Sequence, residues 1–313
     1  MFGRKSTGPS IRVLHRTARC VVAAAPVNMF AMNQYLIGCR ATRRAFLLDV
    51  GDDGGVAPWE AFAKDKLFGN DGGDGSAATA PAASLAGILQ THCHCDHIGG
   101  LQPAMAALPP AVRVHLHPAD NVWLRDPFAG MAQLAGAFPA IRAPVDIPAS
   151  RATYVADGDT VAVGDLSFTA IHTPGHTPGQ TVFYCESEKI AFVGDLIFEG
   201  SVGRTDFPHC DPRAMQASLA KVSAALPDDV VIFSGHGGPT TMGAAAAVPR
   251  LPPPPATTAA TAAACSDRTA ACFGPATFCS MRATFSRTIR SSGTQSGKRR
   301  RGWGSTTSRR CAG

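Results

Sequence analysis

The chain has 313 residues, an apolar share of 45% and a formal net charge of +6 at pH 7. Its length allows one large domain or two ordinary ones, and no apolar run reaches the roughly 18 to 20 residues that a membrane span needs. The positive charge lies at the two ends, because residues 45–249 hold 22 acidic and ten basic residues. We therefore expect a soluble protein without a membrane association, and the acidic central part disfavours a specific nucleic-acid partner.

Residues 1–26 form the first predicted segment. Its opening, MFGRKSTGPSIRVLHRTARC, is rich in arginine, carries hydroxyl side chains and has no acid. Such a segment favours an organelle transit peptide or, equally, a disordered basic leader. The ten cysteines have no framework spacing, so we expect reduced thiols. An intracellular location follows, in the cytoplasm, or in the mitochondrion or plastid if the leader is a transit peptide.

Residues 27–248 are predicted to form one folded domain. The segments NMFAMNQYLIGC and RRAFLLDVGDD are typical of strands and make a hairpin-like opening. PWEAFAKDKLF has helical spacing, and the Gly- and Ala-rich stretch after it indicates an inserted loop. A short strand, AGILQTH, then ends at His92, and a helix over about residues 97–108 precedes the strand VRVHLHP.

The second half of this domain is predicted to consist of strands and one long helix. ATYVADGDTVAVGDLSFTAIHTPGH and QTVFYCESEKIAFVGDLIF predict successive strands joined by tight turns. DPRAMQASLAKVSAAL predicts a helix with proline near its start, and DDVVIFSGHGG predicts a last strand that ends at His236. Beyond Val248 a Pro/Thr/Ala tract leads into Ser- and Arg-rich sequence, so residues 249–313 are predicted to be a disordered tail.

Four motifs that follow predicted strands, HCHCDH, TPGH, GD and SGHGG, carry side chains that bind metals. The candidate ligands are His92, His94, Asp96, His97, His176, Asp195 and His236. Imidazole and carboxylate groups suit zinc, iron or manganese, and seven of them exceed the needs of one tetrahedral ion. We therefore predict two divalent ions that share one carboxylate, with zinc as the first choice and iron or manganese as alternatives.

The spacing inside the first motif separates ligands from other side chains. His92 and His94 are two residues apart and point to the same side of an extended segment, whereas Cys93 and Cys95 point away. No second cysteine pair at zinc-finger spacing follows, so we predict that these cysteines are core residues. His172 lies four residues before His176 and remains an alternative ligand.

The four motifs, in this order, resemble those of the metallo-β-lactamase fold superfamily, and within it the glyoxalase II (hydroxyacylglutathione hydrolase) type. The resemblance covers about residues 27–243 and implies an α+β fold, the four-layer αβ/βα sandwich. It implies a first ion on three histidines, a second on three further residues, and one bridging carboxylate. These are, in that order, His92, His94 and His176; Asp96, His97 and His236; and Asp195. Asp96 and Asp195 are the implied catalytic residues.

The same resemblance implies a reaction. The segment GDLIFEGSVGRTDFP is similar to the G-R-T-D segment of the glyoxalase II-like and persulfide dioxygenase branches. Arg204 and Asp206 in it could contact the substrate, but we expect them to pair with each other or to support the metal ligands. The implied activity is hydrolysis of a small thioester such as S-lactoylglutathione, with a glutathione-linked molecule as the partner.

Two alternatives stay open, a mononuclear iron persulfide dioxygenase and a nuclease-type member. Gly237, which follows His236, favours the hydrolase, because the dioxygenase branch generally has an aspartate after the corresponding histidine, in a G/A-H-D pattern. The sequence after Val248 lacks the glutathione-binding helical region of complete glyoxalase II enzymes, and it does not indicate an oligomeric state.

Overall fold

The computed structural model describes residues 9–52, 54–69 and 82–245. Its larger sheet contains, in spatial order, β1 (Arg12–Arg16), β2 (Cys20–Val27), β3 (Met32–Cys39), β4 (Arg44–Leu48), β5 (Ser84–Leu89), β6 (Arg113–Leu116) and β7 (Ala152–Tyr154). Strands β1 to β4 are antiparallel neighbours, and β4 to β7 are parallel to one another. The sheet therefore changes from hairpin connections to crossover connections at β4.

The second sheet has six strands. They are β8 (Thr160–Val163), β9 (Leu166–His172), β10 (Thr181–Cys185), β11 (Ile190–Gly194), β14 (Val231–Ser234) and β15 (Thr240–Thr241), and their spatial order is β15-β14-β11-β10-β9-β8. Only β11 and β14 pair in parallel within this sheet. A separate two-stranded ribbon, β12 (Ile197–Phe198) and β13 (Ser201–Val202), lies between β11 and the long helix in the chain.

The helices are mostly short. They are α1 (Ala57–Phe62), which continues into a π-helical turn (Ala63–Leu67), α2 (Cys95–Ile98), α3 (Leu101–Ala107), α4 (Asn121–Arg125), α5 (Pro212–Ala225) and α6 (Met242–Ala245). The start of α5 is capped by Asp211, whose carboxylate accepts hydrogen bonds from the backbone amides of Arg213 and Ala214. Within the described part of the chain, no helix is both long and apolar enough to cross a membrane.

Three apolar layers hold these elements together. One lies between the larger sheet and α1, α2, α3 and α4, the second lies between the two sheets, and the third lies between the smaller sheet and α5 and α6. Strand β2 shows the arrangement, because Val21 and Ala23 face the helical layer while Cys20 and Val22 face the other sheet. The α+β fold and its four-layer αβ/βα sandwich are therefore confirmed.

Aromatic side chains in the middle layer position one end of β14. Tyr35 packs edge-on against Phe192 and Phe233, with ring centroids 5.3 and 5.7 Å away. Such pairs contribute about 0.5–1.5 kcal/mol beyond the area they bury. The Tyr35 hydroxyl donates a hydrogen bond of 2.6 Å to the carbonyl oxygen of Ser234, where β14 ends. The core thereby fixes the backbone two residues before His236.

The predicted domain boundary at residue 27 is wrong. Residues 12–27 form β1 and β2, and the β2 side chains of Val21 and Val22 are fully buried. Arg12 and Arg16, two of the arginines that indicated a leader, lie at exposed positions of β1, so a basic composition concealed a strand pair. The folded domain therefore begins no later than Arg12. Residues 1–8, most of the predicted inserted loop and the predicted tail, 249–313, lie outside the described residues.

Two smaller differences concern the segment around the first motif. The strand predicted to end at His92 ends at Leu89, and the helix predicted over 97–108 is divided into α2 and α3 by Gly99 and Gly100. A side chain at Gly100 would place its Cβ 2.0 Å from the carbonyl oxygen of Asp52. The helix is therefore interrupted where another backbone segment packs directly against it.

Candidate metal centre

All seven candidate ligands lie where strands end at one edge of the two sheets. His92 and His94 occupy the turn after β5, Asp96 and His97 lie on α2, and His176, Asp195 and His236 follow β9, β11 and β14. Strands β9, β11 and β14 run in the same direction, because β10 is antiparallel to both β9 and β11, and β14 is parallel to β11. Their carboxyl ends thus deliver side chains to one place.

The first group, called here the first triad, consists of His92, His94 and His176. One ring nitrogen of each lies within 4.8 Å of the others. The ring centroids are 4.9 Å apart for His92 and His94, 4.9 Å for His92 and His176, and 4.5 Å for His94 and His176. All three residues are buried. The triad has the three-histidine composition of a common type of zinc site.

The second group, called the second triad, consists of Asp96, His97 and His236. Their ligand atoms also lie within 4.8 Å of one another. The Oδ2 atom of Asp96 is 3.3 Å from Nε2 of His236 and 3.8 Å from Nε2 of His97. The side chains of Asp96 and His236 remain 14% and 27% exposed, whereas that of His97 is fully buried. The second triad is thus the one that solvent reaches.

The carboxylate of Asp195 lies between the two triads. Its Oδ1 atom is 3.4 Å from Nε2 of His97, and its Oδ2 atom is 3.5 Å from Nε2 of His176 and 3.5 Å from Nε2 of His236. The structure therefore brings all seven predicted residues together and places Asp195 where a bridging carboxylate would lie.

Four of the five histidines are fixed by an acceptor at Nδ1. In the order His92, His97, His176 and His236, the acceptors are Thr91 Oγ1 (3.1 Å), Asp49 Oδ2 (2.9 Å), the Arg204 carbonyl (2.8 Å) and the Phe30 carbonyl (3.1 Å). The Thr91 hydroxyl donates its own hydrogen to Asp49, so it accepts from His92. Each of these rings then carries hydrogen at Nδ1 and directs Nε2 toward the centre, as metal-binding histidines require.

The atoms that face the common space have no partner of their own. Among the described residues, the Nε2 atoms of His92, His94, His97 and His176 and the Oδ1 atom of Asp195 are buried and make no hydrogen bond. An unsatisfied buried polar group costs about 1–3 kcal/mol, so five around one space need a ligand that binds lone pairs. Divalent cations fit this donor set of imidazole nitrogens and carboxylate oxygens.

The electrostatics of the two triads differ in a way that also fits cations. Burial lowers the pKa of His92 and His94 well below the ordinary value, so these rings are neutral and keep a free lone pair. Burial opposes charge on His97 as well, but Asp195, Asp96 and Asp49 outweigh it and raise the pKa of His97 well above its ordinary value. The second triad therefore stabilises positive charge at the position of the His97 Nε2 atom.

Asp49, which the sequence analysis missed, supports ligands of both triads. It is fully buried directly after β4, with a left-handed φ of 55°. Its Oδ1 atom accepts from the backbone amide of Thr91 at 2.7 Å, and its Oδ2 atom accepts from the Thr91 hydroxyl at 2.7 Å and from Nδ1 of His97. The available signal was an acid placed at the end of the apolar strand AFLL.

Asp120 is a second support without a sequence signal. Its buried carboxylate accepts hydrogen bonds from the amide of Cys93 at 2.8 Å, from the hydroxyl of Thr177 at 3.0 Å and from the amide of Gly179 at 2.5 Å. It thereby joins the loop of His92 and His94 to the loop of His176. Burial raises the pKa of Asp120 to about 6, although these three hydrogen bonds act in the opposite direction.

The other residues singled out in the sequence analysis make contacts outside the two triads. Arg204 and Asp206 form a bidentate ion pair, as expected, with nitrogen–oxygen distances of 2.6 and 2.7 Å. His172 belongs to neither triad, because its ring stacks on His117 at 3.8 Å and its Nε2 atom donates to the Pro178 carbonyl. The cysteines of the first motif, Cys93 and Cys95, are free, buried thiols that pack in the helical layer.

Apolar side chains lie near candidate ligands of both triads. Phe198 lies 6.1 Å from the ring of His236, and Phe207 lies 5.7 Å from the ring of His94. Met29 and Phe30, between β2 and β3, are 65% and 37% exposed. The guanidinium of Arg204 lies over the Phe207 ring at 3.8 Å. The surroundings of His94 and His236 are therefore partly apolar.

Comparisons with known proteins agree with this geometry. Residues 30–236 match the metallo-beta-lactamase superfamily. An uncharacterized protein of Mycobacterium tuberculosis is 32% identical over 230 residues, which cover 70% of this chain and 92% of that relative. The hydroxyacylglutathione hydrolase GloC of Haemophilus influenzae is 30% identical over 158 residues, which cover 49% of this chain and 69% of that enzyme.

Two further similarities are to a dioxygenase and to a solved structure that contains iron. The mitochondrial persulfide dioxygenase ETHE1 of Homo sapiens is 27% identical over 202 residues, which cover 64% of this chain and 62% of that enzyme. Among solved structures, the di-iron-bound form of TTHA1623 is 30% identical with a TM-score of 0.57, and the match covers 73% of this chain and 99% of that one. Residues 30–236, which match the superfamily, include both triads and the carboxylate between them.

Proposed function

We propose, from the premise that this chain belongs to the metallo-beta-lactamase superfamily of metallo-hydrolases, that it hydrolyses small thioesters at a centre of two divalent ions. The substrate class that we favour is an acyl-glutathione such as S-lactoylglutathione. The similarity to the hydroxyacylglutathione hydrolase GloC supports this choice. Zinc is the favoured metal, with iron or manganese as alternatives.

The position of Asp195 carries the proposal of two ions. A single closed site would need three or four ligands, whereas here one carboxylate faces His176 of the first triad and His97 and His236 of the second. Burial opposes the ionisation of Asp195, but His97 first, and then His176 and His236, outweigh it and lower the pKa of Asp195 well below its ordinary value. Asp195 is therefore an anion suited to lie between two cations.

The chain's own groups account for orientation at the reaction centre. Bound divalent ions would supply a water with a pKa lowered to about 7 and would polarise the carbonyl of the substrate. The partly exposed carboxylate of Asp96 is placed to orient the attacking water beside His236. The water oxygen bonds to the acyl carbon, the carbon–sulfur bond breaks, and the water's protons end on the released thiol and acid. This accounts for all atoms without a nucleophilic side chain.

The side chains near the candidate ligands favour a substrate with an apolar acyl group over one with an anionic acyl group. Met29, Phe30, Phe198 and Phe207 present carbon surface, and the charge of Arg204 is already paired with Asp206. Burying a side-chain-sized apolar group against such a surface contributes about 25 cal/mol for each Å² that is removed from water. We therefore expect thioesters with longer acyl chains to bind at least as well as lactoyl thioesters.

A mononuclear iron persulfide dioxygenase is the second candidate, because such an enzyme is among the relatives. That activity needs one iron on two histidines and an aspartate, plus oxygen. The complete second triad favours the hydrolase, since a mononuclear enzyme would not require a further carboxylate and two further histidines around a second centre. Gly237 after His236, as noted from the sequence, points the same way.

One experiment tests both candidates. Purified protein is analysed for its metal content, and the release of free thiol is measured on a panel of acyl-glutathione and acyl-CoA thioesters. Oxygen uptake with glutathione persulfide is measured in parallel. Two ions per chain with thiol release support the hydrolase. One iron per chain with oxygen uptake and without thiol release would refute it in favour of the dioxygenase.

A further inference from the structure

Residues 28–33, called here the hairpin tip, comprise the turn between β2 and β3 and the first two residues of β3, and they contact two candidate ligands of the second triad. The Nδ2 atom of Asn28 donates a hydrogen bond of 2.9 Å to the backbone carbonyl of Asp96. The backbone carbonyl of Phe30 accepts from Nδ1 of His236 at 3.1 Å. The tip therefore contacts Asp96 and His236 from the same side of the centre.

The end of the tip extends this contact along the chain that carries His236. The backbone amide of Asn33 donates to the carbonyl of Gly235 at 2.7 Å, and its side chain donates to the carbonyls of Ser234 at 3.1 Å and Gly237 at 2.8 Å. Met32 and His236 also form an isolated antiparallel bridge. The start of β3 thus pairs with the backbone beside His236.

Asn28 connects the shape of the tip to this support. Its backbone is left-handed, with φ of 52°, a conformation that asparagine adopts more readily than most residues. Its Oδ1 atom accepts from the amide of Phe30 at 3.0 Å and closes the turn, while its Nδ2 atom reaches Asp96. The Asn28 side chain therefore fixes the positions of both the Phe30 carbonyl and the Asp96 backbone.

The first triad is supported by different groups. His92 and His176 are held by Thr91 and by the Arg204 carbonyl, and Asp120 braces their two loops. Within residues 9–52, 54–69 and 82–245, no hydrogen bond joins the hairpin tip to His92, His94 or His176. Loss of a tip contact should therefore affect one ion site and not the other.

We infer that the hairpin tip sets the affinity of the second ion separately from that of the first, with Asn28 as the positioning residue. This inference rests on the proposed two-ion function. The physical reason is that a ligand's outer partner fixes its orientation, and removing such a partner typically weakens metal binding by about 10- to 100-fold.

The test is zinc titration of the full-length protein after removal of bound metal, with free zinc set by a competing chelator. Asn28→Gly removes the amide and keeps the left-handed backbone without strain. It should raise the dissociation constant of the second zinc ion by about 10-fold or more and leave the first within a factor of about three. Asn28→Asp keeps the acceptor for Phe30 and loses the donor to Asp96, and should show the same selective change.

Gln102→Ala is the matched control. The Gln102 amide likewise donates to a backbone carbonyl and accepts from a backbone amide, both of Arg142, and it belongs to neither the tip nor the triads. It should leave both affinities unchanged. Thermal unfolding of the metal-free variants checks their folding, and Asn28→Asp carries the test if Asn28→Gly is unfolded.

The possible results distinguish a failure of the inference about the hairpin tip from a failure of the proposed two-ion centre. Two zinc ions in the wild type with a selective loss of the second in the Asn28 variants support the inference. Unchanged affinities, or an equal loss at both sites, overturn the role of the tip and leave the proposed function standing. A wild-type protein that binds fewer than two zinc ions overturns the proposed two-ion centre, and with it the inference.

Discussion

Replacement of Asp49 by asparagine tests the geometry of the centre at a buried carboxylate that belongs to neither triad but lies close enough to His92 and His97 to share a cation with them. The Asp49 carboxylate accepts three hydrogen bonds, from the amide and hydroxyl of Thr91 and from Nδ1 of His97. An asparagine amide has one acceptor oxygen and one donor NH2 group, so at least one of these three donors loses its acceptor. If NH2 faces His97, the ring must accept at Nδ1, which leaves hydrogen on the Nε2 atom that points into the centre.

The magnitude follows from the number and type of bonds lost. A hydrogen bond to a charged group contributes about 1.5–3 kcal/mol. Loss of an outer-shell partner of a metal ligand lowers metal affinity by about 10- to 100-fold, which is about 1.4–2.7 kcal/mol. We therefore expect Asp49→Asn to weaken zinc binding by one to two orders of magnitude, most strongly at the site that contains His97.

The assay is competition for zinc between the protein and a chromophoric chelator, with circular dichroism as the check on folding. Asp157→Asn is the matched control, because it makes the same substitution in a partly exposed carboxylate that pairs with Lys221 away from both triads. An Asp49→Asn protein that folds and binds zinc as tightly as the wild type would show that Asp49 does not orient His97, and the hydrogen-bond reasoning would fail.

Three further predictions use the same centre. Gly235→Ala should abolish metal binding in a protein that still folds, measured by metal content, because the added Cβ would lie 2.1 Å from Oδ1 of Asp195 and 2.7 Å from Cε1 of His97. In metal-free protein, burial raises the pKa of Asp120 from about 4 in the unfolded chain to about 6 in the folded one. The neutral form of Asp120 therefore contributes stability that is fully present below about pH 4 and is lost as the pH rises through about 6. The unfolding free energy of wild type relative to Asp120→Asn should therefore fall between pH 4 and 6, by up to about 3 kcal/mol, and a flat difference would contradict the raised pKa. Asp195→Ala and His94→Ala should each lower turnover by more than about 100-fold while circular dichroism stays unchanged, and full activity in either would contradict the assignment.

The candidate ligands were predictable because their signal is local. His92, His94, Asp96 and His97 lie within six consecutive residues after an apolar strand, and histidine and aspartate are uncommon at such density. The division into two triads and the role of Asp195 came from the family resemblance, since spacing along the chain does not reveal which strand ends meet. The structure places these residues together, and the fold expected from the resemblance is confirmed.

Three kinds of feature were missed in the sequence, each for a different physical reason. Asp49 and Asp120 act through hydrogen bonds to residues 42 and 27 or more positions away, and their side chains resemble ordinary turn acids in the sequence. The Phe30 carbonyl that holds His236 is a backbone group and has no residue-type signal at all. Strands β1 and β2 were hidden because arginines at exposed positions of β1 resemble a basic leader when only composition is considered.

The positions of the two triads give the centre a structural consequence beyond catalysis. Each triad takes ligands from both sheets, because His92 and His94 follow the larger sheet and His176 the smaller one, and His97 and His236 divide in the same way. A cation that binds either triad therefore joins loops from opposite sides of the middle apolar layer. Ligands that bind only the folded state stabilise it by about 2.7 kcal/mol at a free concentration 100 times their dissociation constant. Because the hairpin tip extends from the larger sheet to the chain around His236, which follows the smaller sheet, the contacts that order the second triad are also contacts between the two sheets.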